Sequence, residues 1–196
     1  MKKQIQLSKP CTGDDEWNAL KEPIMNGWLT QGPQTAAFEK AFADNIGVQN
    51  AVAVTSCTSA LHLACLAAGV GEGDEIIVPA FSWVSTANAV EYCGGQVVFC
   101  DVDPKTFNID PSKIESLVTD KTKAIIPVHL FGYPANMDAI KDAIPSHVKI
   151  IEDAACAAGA SYKGQAMGTF GQTACFSVHP RKSITTGEGG MVTTND

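Results

Sequence analysis

Ser177, His179 and Lys182 stand together on the approach to a glycine-rich turn, Gly187-Glu188-Gly189-Gly190. A lysine amine is a nucleophile and a proton carrier when its site favours the neutral form. On a surface it is only a solvated charge, the default for any one of 13 lysines. The clustered glycines say that the backbone turns tightly there or lies against something. Three further groups invite the same scrutiny. Thr55-Ser56-Cys57-Thr58-Ser59 gathers small hydroxyl residues where a helix would start. Free backbone amides and hydroxyls at a helix N-terminus bind anions, phosphate above all, although serine and threonine are also ordinary caps. Phe81-Ser82-Trp83 puts aromatics after an apolar run; Trp83 can stack on a flat ring or fill the core. Glu152-Asp153 closes another apolar run. Strand alternation sends two adjacent carboxylates to opposite faces, so they are no acid/base dyad. One can face a ligand while the other faces helix or solvent, and Asp153 can equally cap the following turn.

The elements that must position these groups are legible as apolar β-type runs: 51–55, 75–78, 96–100, 124–128, 148–152, 174–178 and 191–194. Several are continuously apolar, as in strands covered on both faces. Helical patterns fall between them. Pro33 opens one that Gly47 ends; a second follows Thr58 and closes at Gly69; a third covers 84–93 before Gly94-Gly95. Asp110-Pro111 opens another and Asn136 caps the next. This alternation predicts a mostly parallel α/β sheet of seven strands flanked by helices. Ligands of such sheets bind beyond the carboxyl ends of the strands, which is where every group named above falls.

Composition narrows the partners. The 196 residues are 45% hydrophobic and 18% charged, enough for a real core. A net charge of -7 without a basic run excludes nucleic acid and an anionic membrane surface as natural partners. Arg181 is the single arginine, so a bidentate clamp on an anion must use it, backbone amides, or groups outside the chain. No apolar run reaches the ~20 residues of a membrane span. Met1–Gln6 has two lysines but no apolar stretch after them, which reads as no leader. The seven cysteines lack a C-x-x-C pair and read as core fillers in a reducing cytosol rather than as disulfides or zinc ligands. The last strand runs out at Asp196 with nothing after it, as in a chain cut short.

Taken in order, S-x-T-x-A-L from Ser56, P-x-x-x-W ending at Trp83, E-D-A-A from Glu152 and F-S-x-H-P-x-K-x-I-T-T-G-E-G-G from Phe176 form a joint pattern. With it the chain, from Gly27-Trp28-Leu29-Thr30-Gln31-Gly32-Pro33 to Gly190, resembles the sugar aminotransferases of the DegT/DnrJ/EryC1/StrS family. These are pyridoxal 5'-phosphate (PLP) enzymes of the aspartate-aminotransferase fold type. The resemblance implies a fold type I large domain over 31–196, preceded by an N-terminal helix and loop over 1–30, with the small C-terminal domain absent. It implies Lys182 as the Schiff-base lysine and the catalytic acid and base. By the same likeness, Ser177 and the Cys57–Thr58 turn hold the cofactor phosphate, Trp83 stacks on the pyridine ring and Asp153 pairs with its nitrogen. Cys156 stands where many relatives carry a glutamine near the phenolic oxygen, and reads as a small filler more readily than as a reactive thiol. His179 reads as a loop-positioning residue. The implied chemistry moves an amino group from glutamate to a nucleotide-linked keto-sugar, in a cytoplasmic homodimer, for polysaccharide or secondary-metabolite amino-sugars. Two alternatives stand beside it. One is a deoxysugar dehydratase of the same family, which would carry histidine in place of Lys182. The other is a folded fragment without turnover of its own.

Overall fold

The computed structural model describes residues 8–196. The reading of Met1–Gln6 lies outside the described residues. The first element, α1 (Asp14–Met25), opens on three acidic residues. It buries none of its side chains. After it, α2 (Pro33–Ile46) starts on Pro33, whose missing N–H costs nothing at the first helical position. Gly47 ends it at φ 85°, a left-handed stop that favours glycine.

From there strands and helices alternate: β1 (Asn50–Val54), α3 (Cys57–Ala67), β2 (Glu75–Pro79), α4 (Ser85–Glu91), β3 (Gln96–Cys100), α5 (Pro111–Ile114), β4 (Thr122–Ile125), α6 (Met137–Asp142) and β5 (Lys149–Asp153). A two-residue hairpin follows, β6 (Ser161–Tyr162) and β7 (Gln165–Ala166), then β8 (Thr173–Ser177) and β9 (Gly190–Thr194). Several helix starts have a local cause. Ser56 caps α3, its hydroxyl accepting from the Ser59 N–H at 3.1 Å. Asp110 caps α5 and Asn136 caps α6 in the same way.

Seven strands form one sheet in the order β1-β9-β8-β5-β4-β2-β3. Pairs from β8 through β3 are parallel, whereas β9 runs antiparallel to both β1 and β8. Both faces are covered. Ile76, Val78, Ile151 and Cys175 pack with α3 and α4 residues such as Leu61 and Val90. Their chain neighbours Ile77, Ile150 and Phe176 face the opposite layer with Phe42, Met137 and Ile140. Period-2 alternation with both sets apolar is why these strands read as continuous hydrophobic runs.

Two expectations shift and one element is new. The fourth strand stops at Ile125 rather than running to Val128, because Pro127 has no N–H for the ladder. Val128 keeps only an isolated bridge to Asp153. The helix expected over 84–93 is regular only over Ser85–Glu91. The β6–β7 hairpin had no counterpart in the sequence reading. Among the described residues no helix is long and apolar enough to cross a membrane.

Candidate active site

A cavity of about 370 Å³ opens at the carboxyl ends of the strands, lined by Cys57, Thr58, Trp83, Asp153, Ser177 and Lys182 among others. The sheet register explains why residues so distant in sequence meet there. Gly190 pairs with Val54 on one side and Ser177 on the other. The turn after β1, the end of β8 and the lysine loop of 178–189 therefore converge on one residue. A Cβ on Gly190 would stand 2.4 Å from the Ser56 carbonyl carbon and 2.6 Å from the Cys57 nitrogen. Only glycine lets the start of α3 close over β9 at this point.

That start is built to receive an anion. With Ser56 as cap, the N–H groups of Cys57 and Thr58 make no hydrogen bond among the described residues. They point out of the first turn of an eleven-residue helix, at its positive end. The Thr58 hydroxyl is held by Ser85 at 2.8 Å. Ser177 is nearly buried beside it, and its hydroxyl takes only a long 3.4 Å contact from the His179 N–H. Burial and the nearby Asp153 push the Cys57 thiol well up, so it enters as a neutral side chain beside its own amide.

Asp153 is 4% exposed. One carboxylate oxygen accepts from the Thr86 hydroxyl at 2.8 Å and the other from the Ala155 N–H at 3.2 Å. Thr86 in turn meets the Ser82 hydroxyl at 2.9 Å. Burial pushes the Asp153 carboxyl above its ordinary value, and these donors with His129 and Lys182 only partly oppose it. A cationic N–H brought into the cavity would favour the ionised form. A pyridinium nitrogen has that charge and that single donor, so the residues present fit a PLP ring with its phosphate at α3.

Lys182 is half-buried on a tethered loop. Its N–H donates to the His179 carbonyl at 2.9 Å, the Thr186 N–H to the Val178 carbonyl at 3.0 Å, and the Arg181 N–H to His179 Nδ1 at 3.2 Å. His179 thus shapes the loop through its own ring and carbonyl. The Lys182 Nζ donates to the Cys156 Sγ at 2.9 Å. Cys156 is therefore not a core filler; it is the hydrogen-bond partner of the lysine. Trp83 is not core either. It is 76% exposed, standing on the rim where a ring could be covered.

Glu152, the other carboxylate of the pair, turns away. It faces neither ligand nor solvent but is fully buried against His129, 3.1 Å away, and the N–H groups of Gly168, Phe170 and Gly171. The sequence reading missed Ser85 and Thr86. Their signal was the run of hydroxyl residues Ser82, Ser85 and Thr86 around the start of α4, where the Ser82 and Thr86 hydroxyls meet at 2.9 Å. A larger cavity of about 530 Å³ between Asp103, Tyr133 and Tyr162 is a weaker candidate. Lys163 there is bonded to Asp138, and the Tyr162 hydroxyl to Asn136. All seven cysteines are free thiols, and no cluster suited to a metal ion occurs among the described residues.

The fold, with this set of groups at its strand ends, is that of the large domain of PLP-dependent transferases of fold type I. Residues 10–196 match the model of the DegT/DnrJ/EryC1/StrS aminotransferase family, and the chain belongs to that family. It is 47% identical to GDP-perosamine synthase of Caulobacter vibrioides over 98% of its own length and 53% of that protein's. It is 45% identical to the spore coat polysaccharide biosynthesis protein SpsC of Bacillus subtilis, over 98% and 50% respectively. A Streptococcus pneumoniae protein described as a sugar aminotransferase, solved in its PLP form, superposes with a TM-score of 0.94 at 31% identity. That match covers 98% of this chain and 53% of the other. The chain spans about half the length of the relatives it matches.

Proposed function

We propose that this chain is the cofactor-binding half of a PLP-dependent aminotransferase that moves the amino group of glutamate to a nucleotide-linked keto-sugar. The observation that carries the reading is the convergence on one cavity of an amine, a buried carboxyl and an open helix N-terminus. PLP, when bound, supplies an electron sink for the carbon that loses or gains the amine. The chain's own residues do the rest. The Cys57 and Thr58 amides with the Thr58 and Ser177 hydroxyls take the dianionic phosphate, four donors without an arginine. Asp153 holds the proton on the ring nitrogen, and Thr86 and the Ala155 N–H fix its orientation. Trp83 covers one ring face. The Lys182 Nζ moves a proton onto and off the substrate carbon as base and then acid. His179 sets the height of that amine by shaping the 178–182 turn.

The relatives named for perosamine and for spore coat polysaccharide support a sugar acceptor and an envelope-polysaccharide product. Arg181 stands on the cavity with its guanidinium unpaired among the described residues, which suits an acidic donor or a diphosphate. Exposed aromatics follow the strand ends on the same sheet edge, Phe81, Trp83, Phe107, Phe131 and Tyr133. They support a second copy covering that edge, and we place the homodimer in the cytoplasm. The test is the first half-reaction. Protein loaded with PLP and given glutamate is expected to convert the cofactor to its amine form and release one 2-oxoglutarate per site. Loaded protein that leaves glutamate untouched, while a full-length relative converts it, contradicts the reading for this chain.

A further inference from the structure

The Lys182–Cys156 contact is left over by the chemistry above, which asks only for the lysine. Two nucleophiles stand 2.9 Å apart, nitrogen to sulfur, and both are half-buried rather than sealed. No other thiol among the described residues is hydrogen-bonded to an amine: Cys93 and Cys100 reach carbonyl oxygens, and Cys93 also meets the Cys65 thiol. Cys65, Cys100 and Cys175 are buried, where desolvation suppresses the thiolate. The backbone on both sides is fixed. Cys156 lies inside the turn closed by the Ala157 N–H donating to the Ala154 carbonyl at 2.9 Å, and Lys182 sits in the tethered loop. Lys182 lines the cavity, and Cys156, next in the chain to the lining residue Ala155, is half-buried against the amine.

We propose that Cys156 and Lys182 form a modification site, a reversible sulfur–nitrogen bridge made when a peroxide oxidises the thiol while the amine is free. In the first step the sulfur attacks a hydrogen peroxide oxygen. The O–O bond breaks, one water leaves, and the thiol becomes a sulfenic acid. In the second, the neutral Lys182 Nζ attacks that sulfur. An S–N bond forms, the S–O bond breaks, and the hydroxyl departs as water with a proton from the amine. One thiol, one amine and one peroxide give one sulfenamide and two waters; sulfur loses two electrons and the peroxide gains them. The bridge removes the amine from use and protects the sulfur from irreversible over-oxidation. A thiol reductant reverses it, by attack on sulfur with release of the amine and then thiol exchange. Supply of the amine by a neighbour already at contact distance makes the second step effectively unimolecular.

The experiment uses the whole chain without cofactor, so its outcome does not depend on the aminotransferase reading, and either can fail alone. The protein is treated with a modest excess of hydrogen peroxide, digested without reductant, and mapped by mass spectrometry. The expected product joins the peptides carrying residues 156 and 182 at about 2 Da below their sum. It should revert with dithiothreitol. Cys156→Ser is expected to abolish it. Lys182→Ala is expected to leave a Cys156 sulfenic acid that dimedone traps, a species scarce in the parent chain. The parent chain alone decides the matter if either variant fails to fold. Peroxide-treated parent protein with Cys156 unmodified, or present only as sulfinic or sulfonic acid with Lys182 free, overturns the proposal.

Discussion

Glu152 and Asp153 are neighbours in the chain and opposites in circumstance. Both are buried carboxyls at the end of β5. Glu152 is fully provided for: three backbone N–H groups and the His129 Nε2–H converge on it. The tautomer of His129 follows from its other nitrogen, which accepts from the Ala135 N–H at 3.1 Å. Burial alone would raise the Glu152 carboxyl, but His129 and the backbone donors outweigh it and hold it below its ordinary value. Asp153 receives one hydroxyl and one amide, and burial wins. The difference separates structure from function. The satisfied carboxylate pins the segment after the β6–β7 hairpin to the sheet. The under-satisfied one faces a cavity, where we propose that it meets the cofactor's ring nitrogen.

The comparison breaks most sharply in activity. Asp153→Asn is expected to slow the glutamate half-reaction by roughly a hundred- to ten-thousandfold, since nothing would then hold the ring nitrogen's proton. Its melting temperature should stay level or rise, because a poorly solvated carboxyl has been removed. Absorbance kinetics and a thermal melt on the same sample check both halves.

Glu152→Ala should do the reverse. It leaves four buried donors without an acceptor and is expected to cost about 3–5 kcal/mol in urea unfolding. Whatever folded protein remains should keep an open cavity. If Glu152→Ala is harmless and Asp153→Asn unfolds the chain, the division between the two carboxylates is wrong.

Gly190→Ala tests the cavity side without touching a carboxylate. The added methyl meets the Ser56–Cys57 backbone and is expected to cost about 1–3 kcal/mol. It should also weaken phosphate binding at α3, read as a higher Kd for PLP by fluorescence quenching.

The smallest effect is in pH. Glu152 titrates below its ordinary 4.5 in the folded chain, so the stability it contributes is present above about 4.5 and is lost as pH falls through the lower folded value. Asp153 titrates above its ordinary 3.8, so stability falls as pH rises from 3.8 through the higher folded value. Glu152→Gln should flatten the first slope and Asp153→Asn the second, measured by urea unfolding between pH 3 and pH 6.

Much of this was legible beforehand, for identifiable reasons. Continuous apolar runs revealed strands because both faces of the sheet are covered, and Pro33, Gly47, Asp110 and Asn136 marked helix ends by local chemistry. Strand-end placement gathered Thr58, Trp83, Asp153, Ser177 and Lys182. What stayed hidden lacks a side-chain signature. The antiparallel direction of β9 leaves no trace, since alternation reads the same both ways. Two-residue strands such as β6 and β7 fall below any period. The partners of Glu152 are mostly backbone amides that every residue owns. The Lys182–Cys156 contact joins positions 26 apart through loop geometry alone.

The central claim is that Lys182 is the amine that meets the cofactor. Incubation of the folded chain with PLP, borohydride reduction and peptide mapping tests it directly. The account predicts one pyridoxyl-phosphate group per chain, on Lys182. A folded chain labelled on another of its lysines, or on none, contradicts it.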